Sequence, residues 1–223
     1  MNKTNMKMMK TFLFVLAAFV LPMCVSTASA QLFQSKSLQG RLEAKAYMQG
    51  AVTEENGEVV FSQDIEVPLK TKAQIMTNLQ RWASLRYLAE SSQGVWTDNN
   101  YFKNYEHAQV AKVDAQSTPA VIECKADEEL IFTNKTLSKD YSRLNYTLTL
   151  RIQDGKVSVR MTDIVYTYNL TDQAQRIKAE DWITDSEAFS KKGQLLRNVA
   201  KFRIKTIDLK DELMKEIKEE AAR

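Results

Sequence analysis

The sequence is short of the groups on which most chemistry depends. It has one histidine, two cysteines, six glycines and three prolines in 223 residues. A single histidine, His107, excludes any histidine-based metal cluster, and a Ser-His-Asp arrangement would have to use that one residue. No G-x-S-x-G, no G-x-x-x-x-G-K and no glycine-bearing calcium loop occurs. Cys24 directly follows the N-terminal apolar stretch and is expected to be removed with it, which leaves Cys124 alone, so no intramolecular disulfide is expected. No apolar run of about 18 residues follows the N-terminal stretch, so no permanent membrane span is expected.

Charge of one sign is also missing. All charges in residues 1–30 are the lysines Lys3, Lys7 and Lys10, so a chain cut after Ala30 carries 28 Lys and Arg against 28 Asp and Glu. Phosphate binding normally requires a cationic excess, and a nucleic-acid partner is therefore not expected.

What is present begins with a basic start, an apolar run from Thr11 to Met23 and Ala28-Ser29-Ala30 before Gln31. This is the pattern of a cleaved secretory signal. The rival, a lipid anchor at Cys24, is disfavoured by Met23, where a small residue belongs. The expected organisation is a signal peptide (1–30), a leader (31–46) and one α+β domain (47–223). The leader would enter the domain through a turn at Asn56-Gly57.

Residues 58–67 read as a strand closed by Pro68. Thr71 and Gln74 form a capping box, followed by Ile75, Met76, Leu79, Trp82, Ala83 and Leu85 at helical spacing to about Ala89. Two further strands are expected in "HAQVAKVDA" and "PAVIECKADEELIFTN". In "RLNYTLTLRIQDGKVSVRM", Asp154-Gly155 signals a type I′ hairpin. The resulting register sets Ile152 opposite Val157, Leu150 opposite Val159 and Leu148 opposite Met161, with one apolar and one polar face. From Gln194, Leu195, Val199, Phe202, Thr206, Leu209, Leu213 and Ile217 form the stripe of a long helix that covers the apolar face, with a bend allowed at 206–208.

Two irregularities carry expectations of their own. Strict alternation beyond Thr162 would bury Asp163 and leave Ile164, Tyr166 and Tyr168 on the wet face. Either a bulge near Thr162-Asp163 resets the register, or another segment covers those aromatics. The stretch "KAEDWITDSEAFSKKG" (178–193) reads as a strap, with Trp182 and Ile183 packed on the end of the sheet and its charges in water. The acids Asp127-Glu128-Glu129, Glu180-Asp181 and Asp185/Glu187 read as solvated charge, His107 as a surface residue and Cys124 as a packed thiol.

The order of elements is the topology of one half of the TATA-binding protein. The segments "YMQGAV", "GEVVFSQDIEVP", "RW", "AEDWITD", "KKG" and "KFRIKTIDLKDEL" together resemble the exported bacteroidete family called "domain of unknown function with a TBP-like fold", over Tyr47 to Glu219. The resemblance implies a TBP-like α+β fold of order β-α-β-β-β-β-α, an antiparallel sheet with helices on one face, and a cell-envelope address. It implies no activity. No catalytic, cofactor-binding or metal-binding residue is nominated. A non-enzymatic module contacting an envelope protein or glycan is expected, through the aromatic loop (Trp96, Tyr101, Phe102) or the polar sheet face (Arg151, Arg160). The alternative is a carrier holding a lipid-like ligand between the long helix and the sheet.

Overall fold

The computed structural model describes residues 41–42, 44–88, 95–96, 101–102, 107–135, 138–168 and 173–223. Leu42–Arg223 form one compact unit. Its strands are β1 (Glu54–Glu55), β2 (Glu58–Val59), β3 (Phe61–Glu66), β4 (Val95–Trp96), β5 (Tyr101–Phe102), β6 (Gln109–Asp114), β7 (Ala120–Lys135), β8 (Ser138–Gln153), β9 (Lys156–Tyr168) and β10 (Gln175–Lys178). Its helices are α1 (Lys72–Arg86), α2 (Asp185–Ala188) and α3 (Arg197–Ala222). The main sheet is antiparallel throughout, in the order β10-β9-β8-β7-β6, and β3 shares the outer edge of β9 with β10.

The central hairpin follows the period-2 pattern. Ile152 pairs with Val157, Leu150 with Val159 and Leu148 with Met161, and all six side chains are fully buried. The turn differs from expectation. Type I′ needs positive φ at both central residues, yet of Asp154 and Gly155 only Gly155 has it, at +68°. Tertiary contacts set this tip: Lys72 N–H donates to Asp154 Oδ1 at 2.6 Å, and Gly155 N–H donates to the Lys70 carbonyl at 2.8 Å. The paired positive φ values occur instead in the β1–β2 hairpin, at Asn56 (+54°) and Gly57 (+82°).

The second irregularity resolves as a bulge. Thr147 pairs with Thr162 and Asn145 with Val165, so β9 holds one extra residue opposite Tyr146. Asp163 adopts φ +54° there and stays exposed. The shift turns Ile164 and Tyr166 inward, where both are buried. Burying the Asp163 carboxylate unpaired would have been the costlier solution.

The two long helices, α1 and α3, pack on this inner face. The capping box at Thr71 and Gln74 is formed, and α1 stops at Arg86 rather than near Ala89. The α3 helix starts at Arg197 and runs 26 residues without a break at 206–208. Thr206 is buried in it, its hydroxyl 2.7 Å from the Tyr166 hydroxyl. Phe202, Leu213 and Ile217 join the strand residues in one continuous core.

The strap lies against α3 rather than the sheet end alone. Ile183 is fully buried and the half-buried Trp182 ring packs edge-on against Phe202, with centroids 4.4 Å apart. Two of its carboxylates are not simply solvated, contrary to the expectation. Val59 N–H donates to Glu180 at 2.7 Å, and Asp185 takes Gly50 N–H at 2.6 Å and Arg203 at 2.7 Å. Arg203, fully buried, also donates to the carbonyls of Tyr47 (2.8 Å), Met48 (2.7 Å) and Ile183.

Candidate functional site

The acids 127–129 are the largest departure from the sequence reading. None is solvated: Asp127, Glu128 and Glu129 retain 0%, 1% and 9% of their exposure. Alternation splits them between faces. Asp127 and Glu129 point outward and are neutralised by Arg143 and Lys139 on the neighbouring strand β8. Glu128 points inward, into the space between α1, α3 and the sheet.

Around Glu128 lies a buried polar network. Arg86 Nη1 donates to Glu128 at 2.9 Å, and the Tyr146 hydroxyl donates to the other oxygen at 2.7 Å. The Tyr87 and Tyr146 hydroxyls meet at 3.1 Å. On the far side, Trp82 Nε1 donates to Glu216 at 3.1 Å, and Arg86 Nε stands 3.8 Å from the same carboxylate. Burial opposes the Arg86 charge, but the Glu128 carboxylate outweighs it and the guanidinium is held more firmly protonated than usual. Burial pushes both tyrosine hydroxyls well above their ordinary range. Burial also raises Glu216, against the opposing pull of Arg86 and the Trp82 N–H. Apart from the half-buried Glu216, the groups are closed off from solvent, so this is an internal brace.

The accessible chemistry is on the other face. The 16-residue strands β7 and β8 form the middle of that face, and extra residues at Ala111 of β6, Phe132 of β7 and Asp163 of β9 interrupt the ladders, as bulges that increase local twist do. The outer face curls into a concavity of about 1010 Å³. Its floor consists of cross-strand rows: Arg176-Thr167-Arg143, Lys178-Val165-Asn145, and Thr147-Lys125-Gln109. His107, Glu58, Asp163, Glu180 and Asp181 complete the wall. Lys125 donates to the Thr147 hydroxyl at 2.8 Å, so the floor is ordered by its own bonds.

Of the residues expected at an interaction surface, Arg151 is exposed on the outer face beside Ser158. Arg160 is half-buried in a two-bond pair with Glu55, at 3.2 and 2.9 Å. Neither belongs to the wall of the concavity. Trp96 and Tyr101 pair in the separate β4–β5 ladder, with Phe102 opposite Val95; their side chains, and most of the loop around them, lie outside the described residues. His107 is exposed, as read. Cys124 is fully buried among core side chains, as a packed thiol, and burial pushes it up to about 12. Among the described residues no cluster of three or more metal-ligating side chains occurs, and no helix is long and apolar enough to cross a membrane. The sequence signal for the concavity was the polar face of the hairpin, continued past Thr162; the bulge hid which residues extend it.

An antiparallel sheet of this connectivity, with both long helices on one face and a curled polar face opposite, is a TBP-like α+β domain. Residues 61–167 match the family described as "Domain of unknown function (DUF4468) with TBP-like fold". A solved DUF4468 family protein from Bacteroides ovatus is similar at 28% identity and TM-score 0.67, covering 80% of this chain and 94% of that one. A TBP-like protein from Parabacteroides distasonis, at 21% identity and TM-score 0.56 over 76% of this chain and 96% of its own, shares the fold. No curated protein matches the chain.

Proposed function

We propose that the protein is a non-enzymatic binding module of the cell envelope, exported with cleavage after Ala30, and that it receives its partner in the concave outer face of the sheet. The observation that carries this reading is the concavity of about 1010 Å³, floored by cross-strand rows of threonine, asparagine, lysine and arginine. Such a site is large, preformed and polar. Its ordered charges are spent on one another, as Arg143 on Asp127 and Lys125 on Glu123, an arrangement suited to holding a surface. The buried Glu128 and Cys124 face the opposite side.

The carrier alternative needs space between α3 and the sheet. That layer is occupied by Phe202, Thr206, Ile207, Leu213 and Ile217 against Tyr166, Leu148 and their neighbours, and no observation of the packing favours it.

The test is site-specific photo-cross-linking in the native cell. A cross-linker at Gln109, on the concave face, is expected to yield a discrete adduct, and one at Ser84, on the exposed side of α1, none. Equal labelling from both positions, or adducts from Ser84 alone, would sink the assignment. Intact mass of the envelope protein reads the export step, with Gln31 as the first residue expected.

A further inference from the structure

Resting on the concave face as the binding site, we infer that its occupant is an extended peptide segment of mixed charge, with acidic side chains set against β10 and a basic one against the β2–strap corner. Most cations of the outer face are already paired: Arg143 with Asp127, Lys125 with Glu123, Arg160 with Glu55, and Lys156 with Asp64 at 2.7 Å. Arg176 and Lys178 differ. Both are exposed, both line the concavity, and neither has a carboxylate partner among the described residues. They stand two apart on β10, so they share a face, roughly 6–7 Å from each other along the strand. Beyond the end of β10, at the corner where Val59 is tied to Glu180, the exposed carboxylates of Glu58 and Asp181 also lack a cationic partner among the described residues.

The concavity therefore presents a positive edge and a negative corner on one wall. A neutral glycan has nothing to set against four unpaired charges, and a polyanion would be repelled at the corner. A peptide with acidic residues at i and i+2 of an extended stretch and a basic residue beyond them meets all four. The same two-residue period governs β10 and an extended ligand, so both acids reach both cations at once.

The experiment is peptide-display selection on the immobilised mature chain, run in parallel with a glycan array and repeated with R176E/K178E. These residues are exposed on a four-residue edge strand, so the variant is expected to fold, and its circular dichroism is compared with the parent. The expected result is enrichment of acid-x-acid peptides followed by a basic residue. Their binding should weaken at least about tenfold in the variant, which instead selects peptides of reversed charge. Selected peptides that are unaffected by the reversal, or glycan binding without peptide enrichment, would overturn the inference while leaving the concave face as a site. Absence of any ligand in both screens, with no adduct at Gln109, would overturn both.

Discussion

Arg86 and Glu128 pair at 2.9 Å with 4% and 2% of their side chains exposed, linking the last turn of α1 to the inner face of β7. An ion pair so enclosed is expensive to half-remove, because the surviving charge has no solvent to turn to. Glu128→Leu is therefore expected to destabilise the protein by about 3–5 kcal/mol, and Arg86→Met by a similar amount. The double change to Glu128→Leu with Arg86→Met should recover most of that loss. Urea denaturation of the two single variants and the double reads this directly; simple additivity of the losses would show that the pair is not acting as one unit.

Glu216 gives the network a pH dependence. Burial raises its carboxyl above the ordinary 4.5 in spite of Arg86 and the Trp82 N–H, while Glu212 and Glu128 add to the rise. A folded-state value above the unfolded one means that the folded chain binds this proton more tightly. The group therefore weakens the fold above its raised value, and that penalty is relieved as pH falls towards 4.5. Glu216→Gln, which keeps an acceptor for the tryptophan, should be more stable than the parent at pH 7 and should lose that advantage near pH 4.5. A difference in urea midpoint that is independent of pH would rule out this account.

How far the sequence was legible depends on the range of the deciding interaction. The hairpin register, both long helices and the bulge at Asp163 follow from periods of two and about four residues and from the expense of burying one carboxylate. The run 127–129 was misread because its solvation depends on Arg86, 42 residues away, on Arg143, and on a bilateral sheet that sends alternate acids to opposite sides. The Asp154 conformation was misread for a similar reason, since contacts with Lys70 and Lys72 override the turn's own preference. Arg203 was overlooked although its signal was present: it falls between Val199 and Thr206 on the apolar stripe of α3, where a charged residue needs partners.

Leu69 combines two unfavourable features. It is the second central residue of the Val67–Lys70 turn, with φ +68°, and its side chain is fully exposed. Left-handed backbone costs a leucine about 1–2 kcal/mol, whereas asparagine tolerates it better. Leu69→Asn should raise stability by roughly 1 kcal/mol with no change in the circular dichroism spectrum. Calorimetry showing a lower Tm would mean that the leucine has an internal role which its exposure does not reveal.

The opening segment of the domain and the strap converge on Arg203. Its guanidinium holds the carbonyls of Tyr47 and Met48 on one side and the Ile183 carbonyl and Asp185 carboxylate on the other, and Phe189 lies 4.9 Å beneath it. Only a planar group with several fixed donors can serve two chain segments at once; a lysine has one nitrogen on a flexible stem. Arg203→Lys is thus expected to leave at least two acceptors unmet and to destabilise by about 2–4 kcal/mol. The damage should be local before it is global, because the remaining sheet contacts do not depend on this residue. Limited proteolysis should then cut within 178–193 well before the β7–β9 strands yield. Cleavage that begins in the central strands would show instead that Arg203 supports the whole core and not the strap in particular.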